Sequence, residues 1–127
     1  MHHHTNTSAF TILLQDDVGE LQVFLSALWY HVPPTLAAFV INIGDMVQVW
    51  SIDTYTAALH RVEPMDQVVD RFSIPFFFNP SYETVVQPLE CARDAIAFQP
   101  IRWGEYRRKR ADGDPPESGE RVQISSH

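Results

Sequence analysis

Apolar residues fall along this chain in short runs separated by turn-forming residues, the pattern of strands rather than of long helices. Residues 10–15 are mostly apolar, which predicts a strand buried on both faces. Asp16-Asp17-Val18-Gly19-Glu20 supplies turn chemistry, and Leu21-Gln22-Val23-Phe24 returns as a partner strand. Residues 27–32 read as a third strand, closed by Pro33-Pro34, and the run 37–43 as a fourth, ending at Gly44. Asp45 is placed to cap a short helix through Trp50, whose Met46, Val47 and Trp50 form an apolar stripe. Residues 57–62 and 71–78 complete a set of six strands, and 105–111 reads as a second short helix. Gly, Pro, Ser and charge fill 112–121, which predicts a mobile surface loop. No internal repeat is present.

Composition narrows the picture without deciding it. At 127 residues the chain is one domain, and 45% hydrophobic residues are enough for a core. A net charge of −7 argues against a general nucleic-acid binder, which must neutralise phosphates. The basic cluster Arg107, Arg108, Lys109 and Arg110 opposes that balance and reads as a solvated helix end. The lone Cys91 forms no internal disulfide, which suits a reducing, cytoplasmic compartment. No apolar run approaches the roughly 20 residues of a membrane span. No signal peptide is visible, because histidines lead directly into strand-like sequence.

Candidate chemistry sits in three short patterns. His4-Thr5-Asn6 opens the chain, His60 follows 56 residues after His4, and Arg71-Phe72-Ser73 begins 11 residues beyond His60. Arg71 and Ser73 lie two apart on a predicted strand and therefore share a face. A guanidinium fork binds a carboxylate through two parallel charge-assisted bonds, and a neighbouring hydroxyl adds a third. The same face continues through Pro75, Phe77 and Asn79. Taken alone, His60 reads equally well as a satisfied core histidine and Phe77 as an ordinary core aromatic, while the apolar flanks favour a binding role for Arg71 and Ser73 over a plain surface pair.

Together these patterns resemble the signature of iron(II)- and 2-oxoglutarate-dependent oxygenases of the isopenicillin-N-synthase-like family. That signature is His-x-Asp, a later His, then Arg-x-Ser. Residues 10–19, Ile41-Asn42-Ile43-Gly44-Asp45, Leu59-His60-Arg61-Val62, Arg71 to Phe77, Gly104-Glu105-Tyr106 and Val122-Gln123-Ile124-Ser125 extend the resemblance from His4 to Ser125. It implies a double-stranded β-helix (a jelly roll, cupin-like) with short helices. A jelly roll needs about eight strands, so the fold is expected to be incomplete. Residues 1–111 are then the C-terminal portion of such an enzyme, without its N-terminal half, and 112–127 a flexible tail.

The resemblance also implies roles. His4 and His60 are the imidazole ligands of Fe(II); the family's strand begins seven residues after its first ligand, at Thr11, which selects His4 over His2 and His3. Those two histidines read equally as a tag remnant or as natural sequence. Arg71 and Ser73 hold the distal carboxylate of the cosubstrate 2-oxoglutarate, O2 takes the remaining iron position, and Phe77 walls a small organic substrate. Asn6 departs from the pattern, because the family carries aspartate there. An amide offers iron a neutral oxygen in place of a full negative charge, so binding is expected to be weakened or lost. The family's iron halogenases also lack the acid, but they leave room for halide where Asn fills the space. The tyrosine and asparagine that the family uses for 2-oxoglutarate upstream of the first histidine have no counterpart in this chain. The competing reading is a non-catalytic jelly-roll binding module that keeps the fold without the iron.

Overall fold

β1 (Phe10–Gln15) is the centre of an antiparallel sheet, flanked by β4 (Val40–Ile43) and β6 (Ser73–Phe78). A second antiparallel sheet has β2 (Leu21–Leu25) between β3 (Leu28–His31) and β5 (His60–Val62). α1 (Asp45–Trp50) follows β4, and β7 (Val85–Val86) pairs with β8 (Ile101–Arg102), which runs directly into α2 (Trp103–Gly113). This computed structural model describes residues 3–64, 68–89 and 99–113. The mainly antiparallel architecture is the one expected of a jelly roll. Among the described residues no helix is long and apolar enough to cross a membrane.

Register sorts the first sheet into two faces. Thr11 pairs with Asn42 and Phe77, and Leu13 with Val40 and Pro75, so these side chains share the inner face. Ile12 pairs with Ile41 and Phe76, and Leu14 with Ile74, on the outer face. Ile74 and Phe76 are 67% and 58% exposed, and Leu14 is exposed as well. β1 is therefore not buried on both faces, because no described element covers its outer side.

Several boundaries are shorter than the apolar runs predict, for local backbone reasons. Ser26, Ala27 and Ala37 have positive φ, which ends or delays pairing, so β3 begins at Leu28 and β4 at Val40. β5 and β6 are likewise trimmed, to His60 and Ser73 at their starts. α2 is longer than expected, beginning at Trp103. The read tail is helical as far as Gly113; the rest of it, Val122 to Ser125, Cys91 and His2 lie outside the described residues.

The cap assignment at Asp45 is corrected. Gly44 is the N-cap and no side chain caps the helix; Asp45 lies in the first turn, buried. Gly44 is needed for close approach: a Cβ there would stand 2.0 Å from the Ser8 carbonyl oxygen and 2.8 Å from that of Asn6. The bare backbone instead donates from Gly44 N to Ala9 O and from Asp45 N to Asn6 O, both at 2.8 Å. This seam joins the start of α1 to the segment carrying His4 and Asn6. Behind it Met46, Val49, Val86, Ile101, Trp103 and Tyr106 form a buried core shared by α1, β7, β8 and α2.

Candidate functional site

The inner faces of both sheets enclose a cavity of about 280 Å³. Leu13, Val40, Pro75 and Phe77 line it from one sheet and Leu21 and Val23 from the other, with His4, Asn6, Thr11, Asn42 and His60 as polar groups. An apolar cavity with a few convergent polar groups is the usual form of a small-molecule site.

His4 and His60 are joined by an isolated antiparallel bridge, each backbone N–H donating to the other's carbonyl oxygen at 3.0 Å. That bridge holds the imidazole rings at 4.5 Å between centroids, tilted by 59°. His60 Nδ1 lies 2.9 Å from Ala58 O. A carbonyl only accepts, so Nδ1 carries the proton and the neutral ring keeps its lone pair on Nε2. Such a backbone bond is the standard way of orienting a metal-binding imidazole.

Asn6 sits beside this pair with its amide nitrogen engaged. Nδ2 donates to Thr11 Oγ1 at 2.9 Å and to Asn42 Oδ1 at 3.5 Å, from cross-strand partners on β1 and β4. With nitrogen held, Oδ1 is the atom the side chain can offer a cation. Among the described residues no group of three or more His, Cys, Asp or Glu could hold a metal ion. The donor set that exists is two imidazoles and one amide oxygen. A facial iron site pairs two imidazoles with a carboxylate, and this set has no anionic donor.

Arg71 and Ser73 come together, with Nη1 3.4 Å from Ser73 Oγ, but neither lines the cavity. Ser73 pairs with Gln15, one step beyond Leu13 and Pro75 on the same inner face. Arg71 Nε donates to Gly19 O at 2.7 Å, while Nη2 reaches Gln15 Oε1 at 3.4 Å. The guanidinium is thus anchored through Nε, and its two Nη groups make only long contacts that another acceptor can replace.

The sequence reading missed a buried polar cluster behind the site. Arg110, expected in a solvated basic run, is 8% exposed, whereas Arg108 and Lys109 are exposed as expected. Its Nη1 lies 3.4 Å from Asp45 Oδ2, its Nη2 donates to Thr5 O at 3.2 Å, and Tyr106 Oη donates to Asp45 Oδ2 at 2.5 Å. Burial raises the Asp45 carboxyl above its ordinary value, against hydrogen bonds from Tyr106 and Thr5 and the charge of Arg110. Burial, then the Asp45 charge, push the Tyr106 phenol far upward. Trp103 Nε1 adds a bond to Thr7 O at 3.0 Å. The one available signal was Tyr106 and Arg110 at i, i+4, which share a helix face. Asn42 was missed too; only strand pairing shows it opposite Thr11.

A family model, the 2OG-Fe(II) oxygenase superfamily, matches residues 1–80. The chain belongs to that superfamily. Within it, gibberellin 2-beta-dioxygenase 8 of Arabidopsis thaliana is 40% identical over 106 residues, 84% of this chain and 30% of that enzyme. The dioxygenase for auxin oxidation of rice superposes with a TM-score of 0.81 at 29% identity, over 95% of this chain and 41% of that one. JOX2, solved in complex with 2OG, Fe and JA, gives 0.77 at 35% identity, over 84% of this chain and 32% of that one. The chain therefore spans well under half the length of these superfamily members.

Proposed function

We propose that this chain carries the iron and 2-oxoglutarate site of a dioxygenase that oxidises a C–H bond of a small organic substrate, with iron binding weakened at Asn6. The observation that supports it best is the His4–His60 pair, 4.5 Å between ring centroids in an apolar cavity, with Nε2 of His60 set free by the bond to Ala58. His4 and His60 would hold Fe(II), with Asn6 Oδ1 in the third protein position. When iron, 2-oxoglutarate and O2 are bound, the superfamily reaction converts the keto-acid to succinate and CO2 while oxidising the substrate.

The chain's own residues set the geometry. Arg71, anchored through Nε on Gly19 O, would offer its Nη groups to the distal carboxylate of 2-oxoglutarate, and Ser73 would add a hydroxyl donor. Phe77 lies opposite Thr11 and lines the cavity, where it would wall the substrate. In this reading residues 1–111 are the C-terminal portion of the enzyme, 112–127 its tail, and the setting is cytoplasmic.

Asn6 supports a second reading, a non-catalytic relative. Its amide is already held by Thr11 and Asn42, and it brings no charge to a cation. Succinate formation with added Fe(II), 2-oxoglutarate and ascorbate separates the two. Slow turnover that depends on His60 upholds the enzyme; none from this chain, nor from Asn6→Asp, upholds the binding module.

A further inference from the structure

A second cavity, of about 290 Å³, is lined by the His4–Ser8 segment. It shares His4, Asn6 and Phe77 with the first, and Asn79 and Arg107 also line it. Phe77 and Asn79 are two apart at the end of β6, and Arg107 comes from α2.

Arg107 is held in an unusual way for a surface cation. Its guanidinium carbon lies 5.3 Å from the Trp103 ring centroid and 5.8 Å from that of Tyr82, and Nη1 donates to Tyr82 Oη at 3.0 Å. The ion pairs among the described residues use Arg61, Arg102 and Arg110, each with an acid; Arg107 has none. Two aromatic rings and a phenol thus hold the guanidinium, and no acid among the described residues pairs with it. Arg107 lines the cavity with donors of its planar fork still available, and a guanidinium already held in place loses less entropy when an anion binds.

We propose that this cavity takes the anionic end of the substrate, a carboxylate, on Arg107 with Asn79 as a second donor. One guanidinium beside a neutral amide matches a monoanion, where a dianionic phosphate would call for more positive charge. The rest of the substrate then passes Phe77 toward His4 and Asn6. This assignment rests on the reading that His4 and His60 hold iron, and it makes Arg107 a specificity-determining residue separate from Arg71.

Phenylacetate and its methyl ester are suitable probes, titrated by ligand-observed NMR without metal into the native chain and into Arg107→Gln, Arg107→Lys and Arg108→Gln. The Trp103 indole N–H resonance reports that each variant is folded. Phenylacetate should weaken about tenfold in Arg107→Gln, the low end for a charge-assisted pair because the guanidinium is exposed. It should recover partly in Arg107→Lys and stay unchanged in Arg108→Gln, and the ester should bind all four alike. Equal binding of acid and ester, or full affinity in Arg107→Gln, overturns the proposal. Mn(II) added afterwards should broaden the bound acid's protons in the native chain and not in His60→Ala. Arg107-dependent binding without that broadening upholds the anion site and counts against the metal reading alone.

Discussion

Arg110, on the last helix, donates from Nη2 to the backbone oxygen of Thr5 at 3.2 Å, and so grips the residue between His4 and Asn6. The same guanidinium faces Asp45, whose own backbone N–H holds Asn6 O. One buried cation thus braces both ends of the seam on which the site is built. Arg110→Ala should cost about 3–5 kcal/mol in urea unfolding, because it leaves the Asp45 charge buried and unpaired. Replacing both partners, as Asp45→Asn with Arg110→Met, should cost less than Arg110→Ala alone. If the double variant is the less stable of the two, the ion pair does not dominate this region.

The raised carboxyl of Asp45 gives the brace a pH signature. A folded-state value above the unfolded one means that the native chain binds this proton more tightly, so stability falls as pH rises. Relative to Asp45→Asn, which has no proton to lose, the native chain should be most stable below the ordinary value of 3.8. That advantage should be lost as pH rises from there through the raised value. The difference in unfolding free energy across an acid-to-neutral series checks this; a difference that grows with pH would reverse the sign of the shift.

The residues legible from sequence are those with local or periodic signals. β1, β2 and β6 stand out because five or six strand residues between turn signals are enough to read. His4, His60, Arg71 and Ser73 stand out because their order resembles the family's signature. β7 and β8 were not, since two residues carry no period. Asp45 looked like a cap because capping is a local rule, whereas its real partners, Tyr106 and Arg110, are 61 and 65 residues away. Arg110 looked solvated for the same reason: its neighbours in sequence are charged, and only packing shows that it turns inward. The apolar outer face of β1 read as buried because hydropathy cannot show whether a covering layer follows.

The Arg71 fork makes a test of cosubstrate binding. Arg71→Ala should weaken 2-oxoglutarate by about 1.5–3 kcal/mol, the range for a hydrogen bond to a charged group. Arg71→Lys should restore only part, because a point charge cannot make the two parallel bonds of the guanidinium. Ser73→Ala should cost less than Arg71→Ala, since it removes one neutral donor. Titration calorimetry with 2-oxoglutarate measures all three. Indistinguishable affinities for the native chain and Arg71→Ala would remove Arg71 from the site.

Asn6→Asp decides whether the missing charge limits this site. The two side chains are nearly the same shape, and the cradle suits either. Thr11 Oγ can donate to a carboxylate as well as accept from an amide, and Asn42 can present its nitrogen in place of its oxygen. The substitution therefore restores one negative charge beside the metal without repacking the cavity. At an effective dielectric near 20, unit charges about 4 Å apart attract by about 4 kcal/mol, so the gain in Fe(II) affinity should reach several kcal/mol at most. It should require both imidazoles, because one carboxylate and water hold iron weakly. Anaerobic Fe(II) titration, or Mn(II) binding followed by electron paramagnetic resonance, should rank Asn6→Asp above the native chain. Asn6→Asp with His60→Ala should fall back to native affinity or below. Equal, weak binding by all three proteins means that His4 and His60 do not form a metal site, and their pairing is then structural.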